Sequence, residues 1–199
     1  MSASLVGSEM CIRDRFHTHA MAIVDDYIIV RMKDGLQVTL QSDVSAEKYQ
    51  NINYYSRGSL DGFDVNNGFY SHQMAVDTTG LVFLADYGQY GNRKIHVIDT
   101  TLIQQGNNIT MTTSQTLPLE FNPRGIALYK NLMYISAADG SIRCYDREKK
   151  KFFLTFKSVP GYTFKGGQKL LVYNNRLWVT DVSTREIVGV DIFLSLIHI

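Results

Sequence analysis

One unit recurs four times along this chain, and this recurrence constrains the fold more than any other feature. The copies are anchored at Ala22, Ala75, Ala127 and Leu171, which lie 53, 52 and 44 residues apart. Each copy contains a short apolar run, a turn, a second apolar run with an aromatic residue, another turn and an alternating third run. Such runs, bounded by turns, predict successive β-strands. The chain is therefore expected to repeat one small antiparallel sheet.

The spacing of the copies is typical of a β-propeller, in which four-stranded sheets, called blades, surround a central axis. We predict an all-β fold: a propeller fragment of about four blades, each a four-stranded antiparallel sheet, from a six-bladed parent. Fourth strands are expected at Asn108 to Thr116 and at Lys151 to Phe156. The dipeptides Asp34-Gly35 and Asp139-Gly140 predict hairpins with type I′ turns, because glycine adopts positive φ at little cost.

The two ends of the chain do not continue the repeat. Residues 1–15 (MSASLVGSEMCIRDR) and 194–199 (LSLIHI) resemble translated sequencing-adapter read-through, so we expect both to be non-native. The propeller domain is then expected to cover residues 16–193 and to begin and end inside a larger protein. A fragment of this kind exposes sheet edges that ring closure would cover, which predicts marginal stability or self-association.

Composition and charge exclude several classes of function. The chain has 20 Lys and Arg against 19 Asp and Glu, a net charge of +1, so no nucleic-acid partner is expected. No stretch approaches the roughly 18 apolar residues of a membrane span, so no membrane partner is expected. Cys11 and Cys144 are too few for a disulfide framework and too far apart for a Cys-x-x-Cys metal site. Serine-hydrolase and nucleotide-binding motifs are also absent.

The segment from Asn122 to Asp146, NPRGIALYKNLMYISAADGSIRCYD, resembles one unit of the NHL-repeat and gluconolactonase-like six-bladed propellers. Units of that superfamily open with Pro-x-Gly and continue with an apolar and aromatic strand that ends in Asp. The runs LVFLAD and LWVTD, which end at Asp86 and Asp181, match that second strand, whereas the third copy has Ala137 there. The two aspartates could bind a hard cation such as calcium or could cap turn amides.

A polar residue recurs three positions before each anchor: His19, His72, Arg124 and Gln168. Equivalent positions in a propeller are related by rotation about the axis, so we expect a partial ring of ligand-binding side chains at one mouth of the channel. The resemblance implies a functional role for this position, which is His in metal-binding amidating lyases and Asn in metal-dependent lactonases. His19 and His72 are therefore candidate metal ligands, with zinc or calcium as the ion. The alternative is that both histidines are solvated or hydrogen-bonded without a metal.

The segment Tyr87 to Arg93 (YGQYGNR) is a second candidate ligand site, because it replaces a tight turn by a longer loop at the same mouth. Tyr87 and Tyr90 offer broad side chains with polar tips, which suit ligand contact. The alternative is a tolerated insertion without a function.

Two classes of function follow from these residues. The first is a recognition propeller that binds a protein, peptide, glycan or small molecule at the channel mouth and breaks no bond. The second is a metal-dependent lyase or lactonase, in which a metal on His19 and His72 polarises a carbonyl or hydroxyl group. We favour recognition, because catalytic zinc generally takes three protein ligands and Arg124 is a poor neighbour for a cation. Whether the protein is an enzyme stays open, and a secreted or extracytoplasmic location is favoured.

Overall fold

A computed structural model of the chain describes residues 20–32, 35–40, 71–86, 93–99 and 113–192. These residues form sixteen β-strands, and every paired strand is antiparallel to its neighbour. Within the same residues, no helix has the length and hydrophobicity required to cross a membrane.

The strands form four larger sheets, which follow one another along the chain and which we number as blades. The first blade contains β1 (Ala20–Val24), β2 (Tyr27–Met32) and β3 (Gly35–Leu40). The second blade contains β4 (Ser71–Val76), β5 (Leu81–Asp86), β6 (Lys94–Asp99) and β7 (Thr113–Pro118). The third blade contains β8 (Pro123–Tyr129), β9 (Leu132–Ala137), β10 (Ile142–Asp146) and β11 (Lys151–Phe156).

A short ribbon precedes the last blade. It pairs β12 (Ser158–Val159) with β13 (Tyr162–Thr163), and the fourth blade follows with β14 (Gly167–Tyr173), β15 (Arg176–Asp181) and β16 (Glu186–Asp191). Pro160 and Gly161 form the two-residue turn of the ribbon, where Gly161 has a φ of 81°. Proline followed by glycine with positive φ is typical of a type II turn.

In every blade the spatial order of the strands equals their order in the chain. The first strands of successive blades contact one another, β1 with β4, β4 with β8 and β8 with β14, so they form the inner layer. The prediction of an all-β partial propeller is confirmed. Strand β11 has the predicted limits. Strand β7 (Thr113–Pro118) overlaps the end of the strand predicted at Asn108 to Thr116, and the beginning of that prediction lies outside the described residues.

The hydrophobic core of the described residues consists of three clusters, each between two neighbouring blades. The first cluster comprises Ala22, Val24, Ile29, Met74, Val82, Leu84 and Ile98. The second joins blades two and three and includes Phe83, Ala85, Ile95, Val97, Ile126, Met133 and Ile135. The third joins blades three and four and includes Ala127, Tyr134, Ile142, Cys144, Leu170, Leu177 and Val179. The free energy of burial is therefore gained between sheets, as in sheet-on-sheet packing.

Alternation along the inner strands decides which side chain enters which cluster. The anchors of the first three copies face the following blade: Ala22, Ala75 and Ala127. The residues directly before the anchors of the last three copies face the preceding blade: Met74, Ile126 and Leu170. Successive side chains of a strand point to opposite faces of its sheet, so one strand contributes to two clusters.

The hairpin predicted at Asp139-Gly140 is confirmed, but the predicted turn type is wrong. The Ala137 amide donates to the Ser141 carbonyl at 2.8 Å, which leaves a three-residue loop whose positive φ is at Gly140, 82°. Such a loop is a type I turn followed by a left-handed glycine. The Asp139 carboxylate holds it by accepting hydrogen bonds from the Ser141 amide and hydroxyl at 2.9 and 2.6 Å. Asp34 lies outside the described residues.

Two-residue hairpins instead connect the first and second strands of blades one, three and four. In the fourth blade, Asn174 and Asn175 have φ angles of 51° and 56° between the paired Tyr173 and Arg176. Two successive positive φ angles define a type I′ turn, which asparagine tolerates well. The chain therefore uses a type I′ turn at the opposite end of the blade from the predicted one.

Candidate functional site

Each blade has one end at which its first strand begins and its second strand ends, and we call it the mouth end. At the mouth end of blades two, three and four, the first strand contains one residue more than the strand with which it pairs. The irregularities lie between Ser71 and Met74, between Pro123 and Gly125, and between Gly167 and Leu170. A bulge of this kind locally disrupts the ladder and redirects a side chain. Three consecutive blades thus share one departure from regular pairing.

The predicted ring positions coincide with these bulges. His72, Arg124 and Gln168 each lie inside the irregular stretch of their own strand. The side chains of His72 and Gln168 are outside the described part of the chain, as are the whole of His19, Tyr87 and Tyr90. The ligand-binding role of these residues therefore stays a prediction.

Arg124 is the ring residue whose side chain the structure describes. It is half-buried, between the buried residues Pro123 and Gly125. Its Nε is buried and has no hydrogen-bond partner among the described residues. A buried donor without a partner costs free energy, so it calls for an explanation such as a bound molecule or ion.

Gln73, directly after His72, links three inner strands near the axis. Its side-chain oxygen accepts hydrogen bonds from the Leu170 amide at 2.9 Å and the Ile126 amide at 3.2 Å. Its side-chain nitrogen donates to the Leu170 carbonyl at 2.5 Å. The Gln73 side-chain amide thus pairs with backbone groups at the inner edge of blades three and four, as a neighbouring strand would. Sequence reasoning missed Gln73, because the equivalent positions in the other copies are Ala20, Gly125 and Lys169, which show no pattern.

Asp181 ends the second strand of the fourth blade and holds its mouth-end loops together. Its carboxylate accepts hydrogen bonds from the Lys165 amide at 2.7 Å, the Ser183 amide at 3.1 Å and the Tyr162 hydroxyl at 3.2 Å. Burial raises the pKa of the carboxyl, but these hydrogen bonds lower it more, so the pKa lies below the ordinary value of 3.8. Of the two roles considered for this residue, capping of turn amides is the observed one.

Asp86 occupies the equivalent position in the second blade and has a different partner. Its Oδ2 lies 3.1 Å from Nε2 of His96, and both side chains are buried. Burial lowers the pKa of His96 below the ordinary value of 6.5, although the nearby carboxylate opposes that shift. The pair joins the end of β5 to the middle of β6 directly beside the loop 87–92, which lies outside the described residues.

An ion pair connects blades two and three at the opposite end from the mouth. Arg147 donates from Nη1 to the Asp77 carboxylate at 2.6 Å and from Nη2 to the Lys130 carbonyl at 2.6 Å. The same carboxylate accepts from the Thr79 amide and hydroxyl within its own turn. Both Nη atoms of Arg147 thus bind within the protein, although its Nε, like that of Arg124, is buried without a hydrogen-bond partner among the described residues.

No metal centre is formed by the described part of the chain, in which no group of three or more His, Cys, Asp or Glu side chains lies close enough to hold an ion. His19 and the His72 side chain fall outside that part, so their role as zinc or calcium ligands stays a prediction. Cys144 is buried, and burial raises its thiol pKa to about 12. It is therefore unsuited to act as a nucleophile or metal ligand near neutral pH.

No family model matches the chain, and neither does any curated protein. Solved structures do. Apo AztD from Citrobacter koseri is 14% identical with a TM-score of 0.52, over 89% of this chain and 45% of that chain. Glutaminyl cyclase from Myxococcus xanthus is 8% identical with a TM-score of 0.61, over 88% and 66%. The Cps50 (Swd1) β-propeller domain from Myceliophteria thermophila is 11% identical with a TM-score of 0.55, over 94% and 54%.

These similarities confirm the fold class, and at such low identity they concern the fold alone. The chain is a partial β-propeller that spans about half the length of AztD and of the Cps50 domain, and 66% of the glutaminyl cyclase. The NHL-like subclass and the six-bladed parent stay predictions.

Proposed function

We propose that this chain belongs to an NHL-like recognition propeller, six-bladed in its complete form, whose mouth end binds a protein or peptide segment without breaking a bond. The supporting observation is the bulge that recurs in three consecutive inner strands at His72, Arg124 and Gln168. A repeated bulge at one end of a rotational array places equivalent residues around one opening, which suits a ligand larger than a single metal ion.

Arg124 determines the chemistry of the proposed ligand. Its guanidinium carries a fixed positive charge, and a buried Nε without a partner retains a donor for an incoming acceptor. Carboxylates match the planar guanidinium through paired hydrogen bonds, which are stronger than bonds between neutral groups. We therefore propose a ligand segment that presents Asp or Glu.

Gln73 limits how far the ligand enters. Its three hydrogen bonds span the inner strands one residue beyond the ring position. A ligand would thus rest on the mouth, where the Tyr87 to Arg93 loop is proposed to contact it, and would not thread through the channel.

The test is to pan a random-peptide phage library against the immobilised full-length chain and to measure the affinity of enriched peptides by fluorescence anisotropy. We expect enriched sequences to contain Asp or Glu. We also expect Arg124→Gln to raise Kd about tenfold or more, because a charged hydrogen bond contributes roughly 1.5–3 kcal/mol.

Lys150→Gln is the matched control, because it removes the same charge from an exposed turn at the opposite end. Its affinity should equal that of the unaltered chain. Enriched peptides without acidic residues, or equal affinities of Arg124→Gln and Lys150→Gln, would contradict the proposal.

A further inference from the structure

The two terminal blades each expose one apolar sheet face, and the two faces differ in a systematic way. On the first blade, Met21 and Ile23 are 63% and 56% exposed. On the fourth blade, Leu171 and Tyr173 are 62% and 65% exposed, and Ile187 is exposed beside them. We call these the leading face (Met21, Ile23) and the trailing face (Leu171, Tyr173, Ile187).

The leading face belongs to a series of equivalent positions. Met21 directly precedes the anchor Ala22, and the same position in blades two, three and four is Met74, Ile126 and Leu170. Those three residues are buried against the preceding blade. No blade among the described residues precedes the one that contains Met21, and Met21 has the same apolar character as the other members of its series.

The trailing face completes the other series. Leu171 is the fourth anchor, and Ala127, the third anchor, is buried against the fourth blade together with its strand partner Tyr134. Trp178, the strand partner of Leu171, is the register equivalent of Tyr134. Gly189 leaves room for the Trp178 ring, since a Cβ there would lie 2.9 Å from ring atom Cζ3. The trailing face therefore repeats the half-interface that the third blade presents to the fourth.

We propose that the trailing face of one copy of this chain binds the leading face of a second copy, head to tail, so that the contact reproduces an internal interface between blades. Each internal cluster joins a sheet face that contains an anchor with a sheet face that contains the residue before an anchor. The trailing face is of the first kind and the leading face is of the second kind. Contact between unlike faces is heterologous, so it closes into a ring if the rotation permits and extends into a chain if it does not. The proposal does not depend on the mouth or its ligand.

The experiment is to measure the mass of the full-length chain by light scattering over a range of concentrations and to record the emission of its single tryptophan, Trp178. We expect masses above the monomer and a blue shift of the emission on association, because the indole is then removed from water. A monomer at all concentrations with unchanged emission would overturn the proposal.

Two charge variants test the direction of the contact. Met21→Glu damages the leading face and Leu171→Glu damages the trailing face, and each variant alone lacks one half of the contact. We expect each to raise the apparent Kd of association at least tenfold, because an unpaired carboxylate is costly to bury. A mixture of the two variants should associate again, because the intact trailing face of the first meets the intact leading face of the second.

Val182→Glu is the matched control, since Val182 is exposed but lies in a turn outside both faces. It should associate like the unaltered chain. Association that persists in each single variant would overturn head-to-tail contact and indicate contact between like faces or elsewhere.

Circular dichroism and a urea transition establish that the variants fold. If a charge variant does not fold, Met21→Cys and Leu171→Cys in a Cys11→Ser background replace it, because Cys144 is buried and unreactive. Their mixture should form a disulfide-linked pair more readily than either variant alone. Equal cross-linking in all three samples would overturn the proposal.

Discussion

The third and fourth blades have the same strand pattern but different surroundings. In the third blade both faces are covered, so Ile135 is buried against the second blade and Tyr134 against the fourth. In the fourth blade the register equivalents are Val179, which is buried, and Trp178, which lies on the exposed face. The same alternation therefore yields a two-sided core in one blade and a one-sided core in the next, because burial requires a neighbouring sheet.

The largest difference between the two blades should appear when buried and exposed aliphatic side chains are truncated. Ile135→Ala is expected to lower the free energy of unfolding by about 2–5 kcal/mol, since it leaves a cavity between covered sheets. Leu171→Ala, at a position exposed in the monomer, should change it by less than about 0.5 kcal/mol when both variants are measured at concentrations too low for copies to associate. Urea unfolding of both variants measures the difference. Similar losses at such concentrations would show that the trailing face is covered within the monomer.

Replacing one glycine by alanine in each blade tests how much space surrounds the added Cβ. At Gly140, φ is +82° and a Cβ would lie 2.8 Å from the Phe164 carbonyl oxygen, so Gly140→Ala should cost at least about 2 kcal/mol. At Gly189 the Cβ would meet the end of the Trp178 ring, which can move outward from the open face. Gly189→Ala should therefore cost less than about 0.5 kcal/mol but shift the tryptophan emission. An equal destabilisation of both variants would contradict the open face.

The hydrogen bonds of Gln73 tie the inner strands of both blades to the second blade. Gln73→Ala leaves backbone groups of Ile126 and Leu170 without these bonds, so the free energy of unfolding should fall by about 1–3 kcal/mol. Gln115→Ala, at an exposed position of β7, is the control and should leave stability unchanged. Chemical denaturation compares the two. If Gln73→Ala left the free energy of unfolding unchanged, water would be replacing the side-chain amide at the axis.

A substitution of Asp181 tests whether the hydrogen bonds on the covered side of the fourth blade stabilise the fold as much as those of the third blade do. Its pKa is lower in the folded protein than the ordinary 3.8, so its contribution to stability is present above that value and is lost as pH falls through the folded pKa. Asp181→Asn should lower the free energy of unfolding at pH 7, and the decrease should be smaller than the decrease caused by Gln73→Ala. The difference from the unaltered chain should shrink on acidification below pH 4. A difference that does not depend on pH would assign the effect to packing.

The sequence predicted the blades well because their signals are local. Short apolar runs bounded by turns follow the anchors Ala22, Ala75 and Ala127, and such runs indicate strands without any reference to neighbours. The same reasoning did not predict the ribbon around Gly161, whose strands contain two residues each and carry too little periodicity, although Pro160-Gly161 is a turn signal.

Other features depended on distances that no local pattern encodes. Gln73 contacts Leu170 and Arg147 contacts Asp77, although 97 and 70 residues separate them in the chain. The candidate ring is an intermediate case. Its positions follow from the repeat, whereas the bulges at His72, Arg124 and Gln168 emerged only from the strand pairing.

By itself, the sequence determined where strands and hairpins form, since backbone propensity, glycine conformation and side-chain alternation act over a few residues. Only the tertiary structure decided which face of each blade is covered, which backbone groups Gln73 satisfies and which apolar residues stay exposed. The physical reason is that burial and hydrogen bonding depend on which surfaces meet in space. The rotation of one sheet against the next decides which surfaces meet, and residues far apart in the chain together determine this rotation.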